Sequence, residues 1–354
     1  MRYGDGTPVP SLDNLGSLPD RLTLCFLLQV TRLVVHLKMT DDCPLDRNRS
    51  ASMFERDLGL VKLVGTDRVS WLQGMVSNDI ARLRACEGCY AAHLNPHGRI
   101  ISHMVVLADD DSLWLQLERD NVVSMIEEFD KLLITEEVEI SDHSNEFSLA
   151  TLFGTDAESI LGTWVGEPLA IQTQYGHRSL GGSRVVSGDL GYDLIVPNEE
   201  MPEVRNRLLE AGADLGTADF WDRLRIEAGL PVYGVDLDRT TTLPELGDKG
   251  IDYDKGCYIG QEVVAKIKYI GHVNRQFVGL KLAGPSLPAP RSPVWMTDKE
   301  IGYVTSVAHS VTLDSGIALA FVRHGAGKPG TEVQVLTEGE SQPAVVVELP
   351  FLSH

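Results

Sequence analysis

Eight consecutive residues, Lys255-Gly256-Cys257-Tyr258-Ile259-Gly260-Gln261-Glu262, bring together a thiol, an amine, two glycines and an amide–carboxylate pair. Residues 263–268 directly behind them predict a helix. A thiol just ahead of a helix N-terminus lies in the partial positive charge of the aligned peptide dipoles, which favours thiolate. The neighbouring ammonium of Lys255 acts in the same direction. Cys257 and Lys255 are therefore the catalytic candidates, and the plain alternative is a buried, inert cysteine at a helix entry. Gly256 and Gly260 are expected where the backbone turns tightly or lies close to another group. Cys86-Glu87-Gly88-Cys89 adds a C-x-x-C. Convergence of Cys86, Cys89 and Cys257 on one metal is conceivable, but a lone C-x-x-C is a weak signal, stable clusters usually take four protein ligands, and no metal site is assigned.

The elements that must position these residues belong to a chain of 354 residues, long enough for two or three domains. An apolar fraction of 43% suits ordinary cores, and a net charge of −20 disfavours nonspecific binding to nucleic acid or anionic membranes. Against that background residues 255–281 hold five Lys or Arg and one acid, a basic island. Five scattered cysteines argue against a disulfide framework and for a reducing, cytoplasmic compartment. The N-terminus does not read as a signal peptide. The apolar run over residues 22–39 contains Arg32, His36 and Lys38 and is too short and charged for a membrane span.

Residues 1–50 form a loose lead-in, rich in proline and glycine. Over residues 51–271, alternating apolar positions predict strands at 60–64, 89–94, 99–107, 113–117, 137–140, 147–153, 169–175, 183–187 and 191–197. Helical spacing predicts helices starting near Thr66 or Asp67 and running toward Ile80, and over 121–134, 156–161, 201–211 and 218–229. Asn95-Pro96-His97-Gly98 is a turn that makes 89–107 a hairpin. Hairpins mixed with helices, without regular βαβ alternation, give an α+β fold. Residues 272–354 carry short strands, at 277–282, 301–308, 317–322 and 333–336, between Pro- and Gly-rich turns, which predicts a small all-β barrel or sandwich.

Several blocks taken in order resemble the folate-binding T-protein superfamily of the glycine cleavage system. They are Gly65-Thr66-Asp67-Arg68 with residues 71–80, then Asn95–Ile100, Gly191-Tyr192-Asp193, and Arg223–Pro231. The octapeptide around Cys257 resembles the K-G-C-[FY]-x-G-Q-E signature of the YgfZ-type branch, whose members maintain iron–sulfur proteins. The resemblance covers about residues 55–350 and implies a three-domain ring: two interleaved α+β domains, then a C-terminal β-barrel, with tetrahydrofolate in the central channel. It implies Asp193, beside Tyr192, as the pteridine acceptor, although an ordinary strand aspartate is the plain alternative. It implies Arg225 as the cation for the folate tail, with an intrahelical pair to Asp222 as the alternative. Asn78 and Trp71 become channel candidates, Trp71 with a core position as its alternative.

Aminomethyl transfer in that family uses an Asp-Asp pair, and the matching positions here are Ser102 and His103. Neither is a carboxylate, although an imidazole can handle protons near neutrality. The resemblance thus implies a tetrahydrofolate-binding protein that supports iron–sulfur cluster assembly or repair, with Cys257 as its working thiol and without aminomethyl transfer. Its partners would be a folate and iron–sulfur assembly proteins or client enzymes, with no nucleic acid or membrane. A folate-dependent one-carbon transferase and a folate-independent scaffold are the alternatives.

Overall fold

A computed structural model describes residues 51–352, so the lead-in over 1–50, with its apolar run, lies outside the described residues. The chain enters on β1 (Ser52–Arg56) and β2 (Leu58–Val64), two strands separated by one residue yet placed in different sheets. This crossing interleaves the two α+β parts. β2 is joined by β3 (Glu87–Leu94), β4 (Ile100–Ala108), β5 (Ser112–Glu118) and β6 (Glu139–Asp142) in a five-stranded sheet of order β3-β4-β5-β2-β6. β1 waits for β7 (Phe147–Phe153), β8 (His177–Leu180), β9 (Ser183–Ser187), β10 (Tyr192–Pro197) and the short parallel β11 (Asp214–Leu215) to complete a six-stranded sheet. The third part is a closed six-stranded barrel: β12 (Arg275–Leu282), β13 (Pro293–Met296), β14 (Lys299–Ser310), β15 (Ser315–Arg323), β16 (Glu332–Thr337) and β17 (Glu340–Val347). The architecture is the α+β fold with a C-terminal barrel expected from sequence, and closure leaves the barrel no open sheet edge.

Alternation explains the packing. Along β12, Val278, Leu280 and Leu282 point into the barrel core, while Phe277 faces outward against Phe321 and Tyr303. That outer cluster also contains Ala92, Leu94 and Ile100 of the β3–β4 hairpin and Tyr258 of the octapeptide. The motif region thereby ties the barrel to the first sheet.

Two predicted elements differ. The first helix, α1 (Arg68–Met75), stops short of Ile80. Val76 is extended and bridges His93, and the Gln73 side-chain carbonyl accepts from the backbone N–H groups of Ile80 and Ala81. Val76 and Ile80 are buried as their spacing suggested, but from a loop. The strand expected at 169–175 is irregular, because Ala170 and Tyr175 take positive φ and residues 173–176 form a turn. The remaining α-helices among the described residues are α2 (Val122–Asp130), α3 (Ala157–Val165), α4 (Met201–Glu210), α5 (Ala218–Glu227) and α6 (Gln261–Tyr269).

Candidate functional site

A cavity of about 910 Å³ opens where both sheets, α5, the barrel and the C-terminal segment meet. Ligand clefts commonly fall at about 300–1,000 Å³ and between domains. The end of β1 contributes Arg56, β4 contributes His103, β5 contributes Gln116 and Glu118, and β10 contributes Asp193. Trp221 and Arg225 come from α5, and Tyr90, Tyr175, Asp189 and Lys249 close one side.

Asp193 accepts a hydrogen bond from Thr151 Oγ1 at 2.6 Å and a longer one from Gln116 Nε2 at 3.4 Å. Burial pushes its carboxyl upward, and the charge of Arg56 and the two hydrogen bonds oppose that shift. Gly188 permits this geometry: a Cβ there would lie 2.8 Å from Asp193 Oδ2. Arg56 stacks over Trp221 at 3.7 Å and donates to Thr151, so its cation faces the cavity beside Asp193. Glu118 is likewise raised by burial, against the charges of Arg56 and Arg225.

His103 shares a 2.7 Å hydrogen bond between its Nδ1 and the Tyr90 hydroxyl. Burial, reinforced by Lys249, lowers the imidazole to about 4. Its Nε2 is buried without a protein partner, and so is Oε1 of Gln116. Both residues line the cavity. Buried orphans of this kind are rare and point to a ligand or water. Ser102, one residue along the strand, is buried away from the cavity and donates weakly to the His103 carbonyl.

The structure does not bring the sequence-predicted residues together at one place. Asp193 and Arg225 line the cavity. The guanidinium of Arg225 is, however, already engaged: Nε donates to Asp222 at 2.5 Å, Nη1 to Asp236 at 2.8 Å, and Nη2 to Ser306 of β14 at 2.8 Å. Asp236 in turn accepts from Thr305 and Ser306, so this network fastens α5 to the barrel. Asn78 spends its side chain on the Tyr90 carbonyl and the Asp79 amide and does not line the cavity. Tyr192 packs against the core of the second sheet, and Trp71 stands edge-on to Phe129 in the first core.

Neither Cys257 nor Lys255 lines the cavity. Lys255 is buried, and its ammonium donates to the carbonyls of Gln73, Val76 and Asn78 at 2.7, 2.6 and 2.7 Å. Burial lowers its amine to about 8, against the pull of Asp79, Cys89 and Asp252. The lysine thus closes the carbonyls of Gln73 and Val76 at the C-terminal end of α1 and that of Asn78 in the loop beyond it. Cys257 is exposed, four residues before the first residue of α6. Gly260 takes φ +85° and approaches the Asn95 carbonyl so closely that a Cβ would stand 2.7 Å from it, whereas Gly256 has open space around it. The three cysteines do not converge: among the described residues no group of three or more Cys, His, Asp or Glu side chains is arranged to hold a metal. Cys89 lies on β3, and burial pushes its thiol up to about 12.

Arg56, Tyr90, Gln116, Glu118, Asp189 and Lys249 were not legible as site residues. Asp189 accepts from Tyr175 at 2.8 Å and from Lys249 at 2.6 Å. Only its neighbourhood to Gly191-Tyr192-Asp193 carried any signal.

The cavity thus lies between two α+β parts and a closed barrel. The sequence profile of the GCVT N-terminal domain matches residues 47–250, and that of the glycine cleavage T-protein C-terminal barrel domain matches residues 275–352. The chain belongs to this family. An aminomethyltransferase of Nostoc sp. is 31% identical over 85% of this chain and 85% of its own length. One from Halothermothrix orenii is 28% identical over 86% and 89%. The crystal structure of glycine cleavage system aminomethyltransferase T from Bartonella henselae superposes with a TM-score of 0.79 over 86% of this chain and 88% of that one, at 21% identity, a likeness of fold. Among the described residues no helix is long and apolar enough to cross a membrane.

Proposed function

We propose that the cavity binds tetrahydrofolate or a one-carbon derivative, and that the protein supports iron–sulfur cluster assembly or repair without transferring an aminomethyl group. The observation that carries the folate part is the cavity wall. Asp193, the unpartnered Gln116 Oε1 and the unpartnered His103 Nε2 stand on polar faces, and Trp221, Tyr90 and Tyr175 offer aromatic ones. A flat, polar-edged heterocycle suits such a mixture. The residues present fit a pterin in number and type. When bound, the folate would supply a one-carbon carrier, and this chain would contribute orientation and exclusion of water. The iron–sulfur part rests on the exposed Cys257 within the octapeptide signature. With Arg225 occupied by Asp222 and Asp236, Arg56 and the Asp189-paired Lys249 are the other cations lining the cavity that could meet a folate carboxylate. The natural setting of this reading is the cytoplasm, with iron–sulfur assembly proteins or client enzymes as partners.

The second reading, aminomethyl transfer, is favoured by the names of the relatives and by His103 facing the cavity. A neutral imidazole can accept a proton where a carboxylate is missing. Two measurements separate the readings. Titration calorimetry with tetrahydrofolate tests the shared step, and an absence of both heat and thermal shift removes it. An aminomethyl-transfer assay with a lipoylated carrier protein then divides them, since turnover sinks the first reading and supports the second.

A further inference from the structure

A second polar cluster lies between the two sheets, outside the cavity. Its centre is Asp109, in the turn from β4 to β5. The carboxylate accepts from His177 Nε2 of β8 at 3.1 Å, from Arg184 Nη2 of β9 at 2.6 Å and from Trp114 Nε1 of β5 at 3.1 Å. Burial would raise this carboxyl, but the His177 hydrogen bond and the charge of Arg184 hold it well below the usual carboxylate range. An ionised carboxylate only accepts, so the hydrogen of the His177 bond sits on Nε2. The His177 side chain is fully buried, and among the described residues its Nδ1 and the Nε of Arg184 have no hydrogen-bond partner. Burying two polar atoms in this way costs stability, so the cluster is poorly explained as a fastener alone.

The cluster stands next to the cavity. His177, Val186 and Asp193 lie in one row across β8, β9 and β10, so His177 shares the sheet face of Asp193 at roughly 10 Å. Tyr175, two residues before His177, lines the cavity with φ +59°, a left-handed conformation that is rare for a bulky residue. Its hydroxyl donates to Asp189, which also accepts from Lys249. Its backbone N–H donates to the Ser187 carbonyl, and that of His177 to the Cys86 carbonyl at the edge of the first sheet. A conformation of this kind persists only where its surroundings fix it, and such strain gathers at functional sites.

We propose that Asp109, His177 and Arg184 form a positioning clamp: they tie the start of β8 to the first sheet and thereby hold the Tyr175 ring on the cavity wall. None of the three lines the cavity, so the clamp acts through Tyr175 and not by contact with a ligand. Without it, Tyr175 relaxes toward an ordinary φ, its ring leaves the wall, and only part of the population keeps a complete cavity. Affinity then falls by that fraction. The inference takes its ligand from the folate reading and adds residues outside the cavity that set its shape.

The test uses the full-length protein, with tetrahydrofolate as the probe in titration calorimetry and fluorotyrosine as the reporter in fluorine NMR. His177→Leu should weaken tetrahydrofolate binding by about fivefold or more, the population penalty of releasing a strained conformer. His177→Gln, which keeps a donor toward Asp109, should recover most of the loss. In a Tyr175→Gly background, His177→Leu should cause no further weakening. In the ligand-free protein the Tyr175 resonance, assigned by its loss in Tyr175→Phe, should move to the solvent-exposed position in His177→Leu and stay in place in His177→Gln. Thermal melts establish that each variant folds, and Arg184→Gln carries the same expectations if His177→Leu does not. Unchanged affinity or an unchanged Tyr175 resonance in the folded clamp variant, or equal weakening with and without the Tyr175 ring, overturns the clamp and leaves the folate reading standing. If the wild type does not bind tetrahydrofolate, the folate reading falls, and the fluorine resonance decides the clamp by itself.

Discussion

The octapeptide and the cavity are organised in opposite ways. In the octapeptide every residue is a sequence neighbour, and the side chains diverge: Lys255 turns inward to three carbonyls, Tyr258 packs against the barrel's outer face, and Cys257 points to solvent. In the cavity the residues lie scattered between Arg56 and Leu352, and the side chains converge. A dense motif therefore need not be a chemical centre by itself. Part of its composition serves to hold α1 and the Asn95–Gly98 turn in place. A functional chamber, in contrast, needs only that separate strands and helices end in the same volume.

The sharpest way to break this comparison is at Arg225, a cavity residue whose guanidinium is spent on the fold. Arg225→Ala leaves Asp236 buried without its cation, and loss of one partner of a buried ion pair costs about 3–5 kcal/mol. Urea unfolding should show that loss; a fully stable variant with weakened folate binding would return Arg225 to the ligand. Next in size is Lys255→Met. It removes three charge-assisted hydrogen bonds and leaves three carbonyls open, a destabilisation of about 3 kcal/mol. A variant with unchanged stability and lost cellular function would instead move Lys255 to the chemistry.

The third effect is on pH dependence. His103 is lowered to about 4 from an ordinary value near 6.5, so over that interval the unfolded chain binds more protons than the native one. Stability contributed by the neutral ring is complete above about 6.5 and is lost as pH falls toward 4, by about 2 kcal/mol once partial access of the ring to the cavity is allowed for. The acid limb of the stability profile should flatten in His103→Phe; an identical limb in both proteins would place the titration elsewhere. The smallest effect is expected at Cys257. Cys257→Ser should change stability by no more than about 0.5 kcal/mol, as exposed substitutions usually do. It should still lower iron–sulfur enzyme activity in cells, and full complementation would remove the thiol from the proposal.

Local pattern made most elements readable. Over Phe147–Phe153, Phe147 and Leu149 pack on one core and Ala150 and Leu152 on another, and α5 carries Leu224 and Ile226 on buried positions with Thr217 capping its first turn. One misreading, the early end of α1, has its cause in a long-range contact. α1 ends at Met75 because Lys255, nearly two hundred residues away in sequence, supplies donors to its last carbonyls. β1, β8, β11, β13 and β17 were not expected. β13 is four residues long, and β17 alternates buried with exposed positions around Pro343.

By itself the sequence determined most of the strands and helices and that a barrel follows an α+β body. Those properties follow from periodicity and turn chemistry within windows of about ten residues. Tertiary structure alone decided that Arg225 is a fastener, that Lys255 closes a helix end, that Cys257 faces solvent, and that Gln116 and His103 share a wall. Each of these depends on which distant backbone or side chain arrives within hydrogen-bond reach, and that distance is set by strand register and domain packing, not by the spacing of residues along the chain.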